Sequence, residues 1–118
     1  MSQSQKQRKW EREEVVILVT GYFRTKNLTR VERDASFRVI SEFLRRREEK
    51  LTGTPVSPIF RDYAGICLQS ARVKSLDPSM ESNGMHGTKL QQEVVREYLR
   101  NPQKICEEAE QIIKKYNG

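Results

Sequence analysis

Three side chains in this sequence are soft metal ligands: Cys67, His86 and Cys106. A structural zinc site draws on short spacings such as Cys-x-x-Cys or His-x-x-x-His, which present two ligands to one ion. None of the three is so spaced, and no metal or other cofactor is expected. A single histidine also excludes a metal nuclease or nucleophilic site built on several histidines, and a Ser-His-Asp arrangement cannot be built around one histidine in a loop. Its plain reading is an exposed loop residue. Gly84 and Gly87 lack both a following Lys-Ser/Thr and a preceding strand, so they mark a turn and no phosphate loop. The carboxylates are many, but nothing singles out a catalytic pair. Glu48 and Glu49 are expected to pair with Arg45 and the next turn of their helix. The sequence thus shows no catalytic apparatus, and function by binding is expected.

Cations give the better leads. Lysine and arginine exceed the acids by 22 to 16, a net +6, and residues 1–59 hold 13 basic against 8 acidic side chains. Such a balance favours a polyanion through phosphate neutralisation and counterion release. The densest local charge is Arg45, Arg46 and Arg47. On a helix three successive residues fan around the axis, so one should lie at the core margin and the others face water. They could contact phosphate, or form a solvated face neutralised by Glu48 and Glu49. A second group is Arg61, Tyr63, Gln69, Arg72 and Lys74. Arginine and glutamine read guanine and adenine edges, and a tyrosine can stack on a base. Against this stands a structural use: Arg61 pairing with Asp62 or Asp77, and Gln69 and Arg72 bonding loop carbonyls.

These residues need elements to hold them. Residues 1–9 are polar and expected as a disordered tail, and 10–118 as one helical domain, long enough to bury roughly two thirds of the surface of its unfolded chain. Acids at Glu11, Glu13 and Glu14 suit the start of a first helix over 11–23, with Val15, Leu18, Val19 and Tyr22 at helical spacing. The apolar run 15–19 could also be a buried strand, but no partner strand follows. A second helix starts after Asp34, with Phe37, Ile40, Leu44 and Leu51 on one face and Val39 and Phe43 widening it, and ends by Gly53, Pro55 and Pro58. Asp62 caps a third helix with Ile66, Ser70, Val73 and Leu76 inward, where Gly65 suggests close packing. Residues 77–87 form a loop. Thr88 and Gln91 make a capping box for a fourth helix carrying Leu90, Val94, Tyr98 and Leu99. Asn101 and Pro102 open a fifth with Ile105, Ala109, Ile112, Ile113 and Tyr116. The fold class is therefore all-α, a bundle of about five helices. Cys67 and Cys106 read as small buried hydrophobes, which implies a reducing cytosol and a cytoplasmic protein. No apolar stretch approaches the ~20 residues of a membrane span, and no membrane partner is expected.

The pattern Trp10, Glu13-Glu14, the apolar run to Tyr22-Phe23, Leu44-Arg45, Phe60-Arg61-Asp62-x-x-Gly65-Ile66-x-x-Gln69, Leu76-Asp77-Pro78, and Tyr98-x-x-Asn101 to Ala109-x-x-Ile112 resembles a helical domain at the N-terminus of HNH-type and modification-dependent restriction endonucleases. The likeness covers about 10–113. It implies a domain that recognises or positions DNA while a separate nuclease domain or subunit cuts, within an anti-phage defence system. Asp62 stands where the related domains usually carry asparagine, which fits a helix cap better than a base reader. No His-Asn-His nuclease follows, so the resemblance implies an excised domain or a stand-alone relative. The expected function is DNA binding through Arg45, Arg46, Arg47, Arg61, Tyr63, Gln69, Arg72 and Lys74. The alternative is a protein-interaction module of a nuclease or defence complex.

Overall fold

The apolar run 15–19 is helical, and it forms the axis around which the chain is wound. The computed structural model describes residues 8–81 and 85–117, among which there are five helices and no strand. They are α1 (Arg12–Thr25), α2 (Arg30–Thr52), α3 (Tyr63–Lys74), α4 (Lys89–Arg100) and α5 (Pro102–Asn117). A helix that is apolar all round must be enclosed by protein, and α1 packs against each of the other four. Val16, Leu18 and Val19 are wholly buried, each worth about 1.5–3 kcal/mol on removal from water. The other helices contribute one stripe each to this core: Ile40, Phe43 and Leu44 from α2, Ile66 and Val73 from α3, Val94 and Val95 from α4, and Ile105, Ala109, Ile112 and Tyr116 from α5. Phe23 and Tyr98 stack at 4.3 Å, joining the end of α1 to α4.

Local chemistry sets the helix ends. Thr88 Oγ1 accepts from the Gln91 amide while Gln91 Oε1 accepts from the Thr88 amide, the reciprocal box expected from the sequence. Asp62 caps α3 by accepting from the Gly65 amide at 2.9 Å. Helix α2 begins at Arg30, not after Asp34. Its start is another such box, Thr29 with Glu32, which satisfies two amides that would otherwise lack partners. It ends at Gly53, whose φ of 75° lets its amide close on the Glu49 carbonyl.

Several side chains assigned to the core are corrected. Val39 is 64% exposed and Leu51 54%. Val39 is turned about 100° from Ile40, off the stripe that meets α1, and Leu51 lies near the end of α2, where the core no longer covers it. Leu99 and Ile113 are exposed for the first of these reasons. Leu76 is half-buried beyond the end of α3, and Cys67 and Cys106 are half-buried free thiols rather than core residues. Arg8 pairs with Glu14 and Glu48; residues 1–7 of the expected tail lie outside the described residues, as do 82–84 of the expected loop. At the start of that loop Asp77 is buried, accepting from Tyr22 Oη at 2.8 Å and Lys26 Nζ at 2.9 Å. No described helix is long and apolar enough to cross a membrane.

Candidate nucleic-acid interface

Two of the eight expected contact residues are turned inward. Arg61 is 2% exposed, with Nε donating to Glu14 Oε2 at 2.8 Å, and Glu14 is itself wholly buried. The guanidinium also lies 4.5 Å from the Trp10 ring centroid and 4.4 Å from that of Phe60. Neither Asp62 nor Asp77 is its partner: one caps α3 and the other holds Tyr22 and Lys26. Arg47 is the member of the triple arginine that reaches the core margin, 3% exposed, bonded to Glu11 and Glu13. A buried arginine neutralised by carboxylates offers no charge to a phosphate. These two expected contacts are therefore structural in the protein as it stands.

The others have mixed duties. Arg45 Nη1 donates to the carbonyls of Ser57, Pro58 and Phe60 and ties down the turn before α3. Glu48 and Glu49, expected to neutralise Arg45, instead pair with Arg8 and accept from the Val56 amide. Arg46 is exposed beside Asn117. Tyr63 Oη donates to Asp34 at 2.8 Å, and the Arg38 guanidinium lies 4.0 Å from its ring centroid. Cys67 and Asp34 together push the Tyr63 phenol up to about 12. Gln69 accepts from Gln91 Nε2 at 2.8 Å. Arg72 Nη1 donates to the His86 carbonyl, a bond to a loop carbonyl as its structural use requires. Lys74 is exposed at the end of α3. Lys74 lines one cleft with Arg33, near the start of α2, and Arg33 and Arg46 are 13 residues apart on that helix, roughly 20 Å at 1.5 Å per residue.

Internal pairing redistributes the charge. Arg8, Arg12, Lys26, Arg47, Arg61 and Lys115 engage Glu11, Glu13, Glu14, Glu48, Glu97, Glu108 and Asp77. Among the described residues seven of the sixteen acids are engaged in this way by six of the cations, most of them inside or between helices. Three of the chain's cations meet at a cleft of about 230 Å³ between the end of α1, the start of α2 and α3, lined by Lys26, Arg33 and Lys74 over Phe37 and Met80. Ser70, whose buried Oγ has no hydrogen-bond partner among the described residues, forms part of its wall. Burial alone would raise the Asp77 carboxyl, but Lys26, the Ser79 amide and Tyr22 hold it down at about 2. Lys26 is thereby balanced, while Arg33 and Lys74 form no ion pair among the described residues. The cleft keeps a surplus of positive charge beside an apolar floor.

A second cleft, about 450 Å³, opens on the other side of α3 toward α4, lined by Lys9, Trp10, Gln69, Lys89, Leu90 and Gln91. A third, about 500 Å³, lies among α1, α2 and α5 with Val39, Ile113, Arg24 and Arg46 at its edge. Among the described residues no three His, Cys, Asp or Glu side chains are grouped to hold a metal ion.

Lys26 and Arg33 were not among the expected contacts, yet a signal existed. Arg24, Lys26, Arg30 and Arg33 follow one another with Glu32 the only acid between them, and Glu32 is spent on capping α2. Trp10 and Gln91 carried other meanings, a motif position and a cap. Comparison with known protein families, curated proteins and solved structures finds no match for this chain.

Proposed function

We propose that this domain binds DNA through its phosphate backbone at the Lys26, Arg33 and Lys74 cleft, and so positions a nuclease carried on another domain or chain. The observation that carries the reading is the local charge there: Lys26 is paired with Asp77, while Arg33 and Lys74 line the same cleft and form no ion pair among the described residues. Phosphate contacts of this kind orient a protein on a duplex without specifying sequence. The nuclease partner rests on the resemblance described above.

The experiment is a charge reversal, Arg33→Glu with Lys74→Glu, assayed by anisotropy of a labelled duplex. Lys74 is exposed and Arg33 holds only the Leu28 carbonyl at the surface, so the helical circular dichroism of the double variant should match the parent and its melting should stay close to it. Binding at low salt should weaken by at least tenfold. Unchanged affinity in a folded variant would remove the cleft from the interface.

A second reading, docking of a protein partner, has one observation in its favour. Val31 is 78% exposed and Val39 64%, both on α2, and Val39 borders the third cleft. Exposed apolar surface beside a groove suits a partner subunit. Co-purification with proteins encoded beside it, repeated after nuclease treatment, separates the two: a complex that survives without nucleic acid favours docking.

A further inference from the structure

The cleft between α3 and α4 has a different chemistry from the cationic one. Its wall carries the only tryptophan of the chain, Trp10, half-buried and fixed by the Arg61 guanidinium over its ring. Arg61 is in turn locked on Glu14, so the indole is held by groups that cannot relax away. Beside it stands an amide pair of defined direction. The Thr88 amide donates to Gln91 Oε1, and Gln91 Nε2 donates to Gln69 Oε1. That chain of bonds leaves Gln69 Nε2 without a partner among the described residues, next to an Oε1 with a second lone pair, the donor and acceptor set with which a glutamine side chain pairs with the edge of a base. Lys9 and Lys89 border the same cleft. At about 450 Å³ it lies within the range of roughly 300–1,000 Å³ that small-molecule sites occupy.

We infer that this cleft receives one unpaired nucleobase, stacked on Trp10 and met on its edge by Gln69, with the adjoining phosphate between Lys9 and Lys89. This rests on the nucleic-acid reading and extends it from backbone contact to a single nucleotide. In a duplex the face of a base is covered by its neighbours and its pairing edge by its partner, so a site that uses both face and edge selects single strands or an extruded base.

Because Trp10 is the sole tryptophan, its emission reports the contact directly. The intact chain is titrated at low salt with ten-residue oligomers of dA or dT and with the dA·dT duplex, following Trp10 emission and, separately, the anisotropy of labelled strands. Single strands are expected to quench Trp10 in step with binding, while duplex binding leaves the emission nearly unchanged. Trp10→Ala should weaken single-strand binding roughly 5- to 150-fold, the effect of one base stack, and Trp10→Phe should recover most of it. Gln69→Ala should alter the ratio of dA to dT affinity while duplex affinity stays within a factor of two. If Trp10→Ala proves poorly folded, the parent's quenching and the Gln69→Ala ratio still decide. Single strands that saturate the protein with no change in Trp10 emission would overturn the inference while leaving duplex binding intact. A chain that binds neither form at low salt would overturn the nucleic-acid reading and this inference with it.

Discussion

Arg61→Met tests how far the buried ion network supports the domain. Glu14 has no exposed surface, and its oxygens accept from Arg61 Nε at 2.8 Å, Arg61 Nη2 at 3.3 Å, Arg8 Nη1 at 2.7 Å and the Glu11 amide at 2.9 Å. Removing Arg61 deletes two of these bonds and leaves a desolvated carboxylate facing Arg8, whose side chain is 30% exposed. Breaking one partner of a buried pair costs about 3–5 kcal/mol. Arg61 also sits at a φ of 47°, a left-handed backbone that an unbranched methionine does not relieve. With an unfolding entropy of about 2.1 cal/mol/K per residue over 118 residues, a loss of 3 kcal/mol lowers Tm by about 12 °C. The assay is urea and thermal unfolding by circular dichroism on the parent, Arg61→Met, Glu14→Gln and the double variant. The double variant should be at least about 1 kcal/mol more stable than the sum of the single losses requires, because it no longer buries an unpaired charge. A loss below about 1 kcal/mol for Arg61→Met would refute the reasoning. Nucleic-acid binding by folded Arg61→Met, measured well below its Tm, should stay close to the parent's at the cationic cleft.

Acid should destabilise the domain in a defined window. Tyr116, Lys115 and Arg47 overcome burial to hold Glu13 at about 2, and Asp77 is held at about 2 as well. Unfolded carboxyls titrate near 4, so these groups contribute fully above about pH 4–5 and lose their contribution as pH falls toward 2; equilibrium unfolding that is flat from pH 5 to pH 2 would contradict this. Tyr22→Phe removes a donor from the buried Asp77 and should lower stability by about 1.5–3 kcal/mol, the worth of a hydrogen bond to a charged group, as read by urea midpoint. Gly21→Ala would bring a methyl within 2.6 Å of Ile40 Cδ1 where α1 crosses α2; the Ile40 side chain must turn, and a loss of about 1–3 kcal/mol is expected, whereas an unchanged midpoint would show that α1 and α2 have slack there.

The helix count, the caps of α3 and α4 and most of the core were legible because each rests on nearby residues. Asp62 and Gly65, or Thr88 and Gln91, are three apart, and their meaning does not depend on the rest of the fold. The candidate contacts were harder because the fate of a charge depends on what folds against it. Arg61 and Glu14 are 47 residues apart, and Arg47 and Glu13 are 34 apart; no local pattern pairs them. Helical geometry alone requires one member of the triple arginine to turn inward, and the packing of α1 on α2 makes it Arg47. The start of α2 differs from the expectation for a local reason: Asp34 is a good cap by type, but the reciprocal Thr29–Glu32 box lies just before it and starts the helix there. The cationic cleft depends on three segments meeting, so of its three cations only Lys74 is an expected contact, and the charge run that supplies Lys26 and Arg33 carries no local mark of what folds against it.

The most direct test of the binding reading is the salt dependence of duplex affinity. Two or three phosphate contacts at Lys26, Arg33 and Lys74 give a slope of log K against log salt of about −2 to −3, near −0.9 per contact. Arg33→Glu with Lys74→Glu should bring the slope close to −1 or less in magnitude. A parent slope near zero, or no measurable affinity at low salt, would contradict backbone recognition by this cleft.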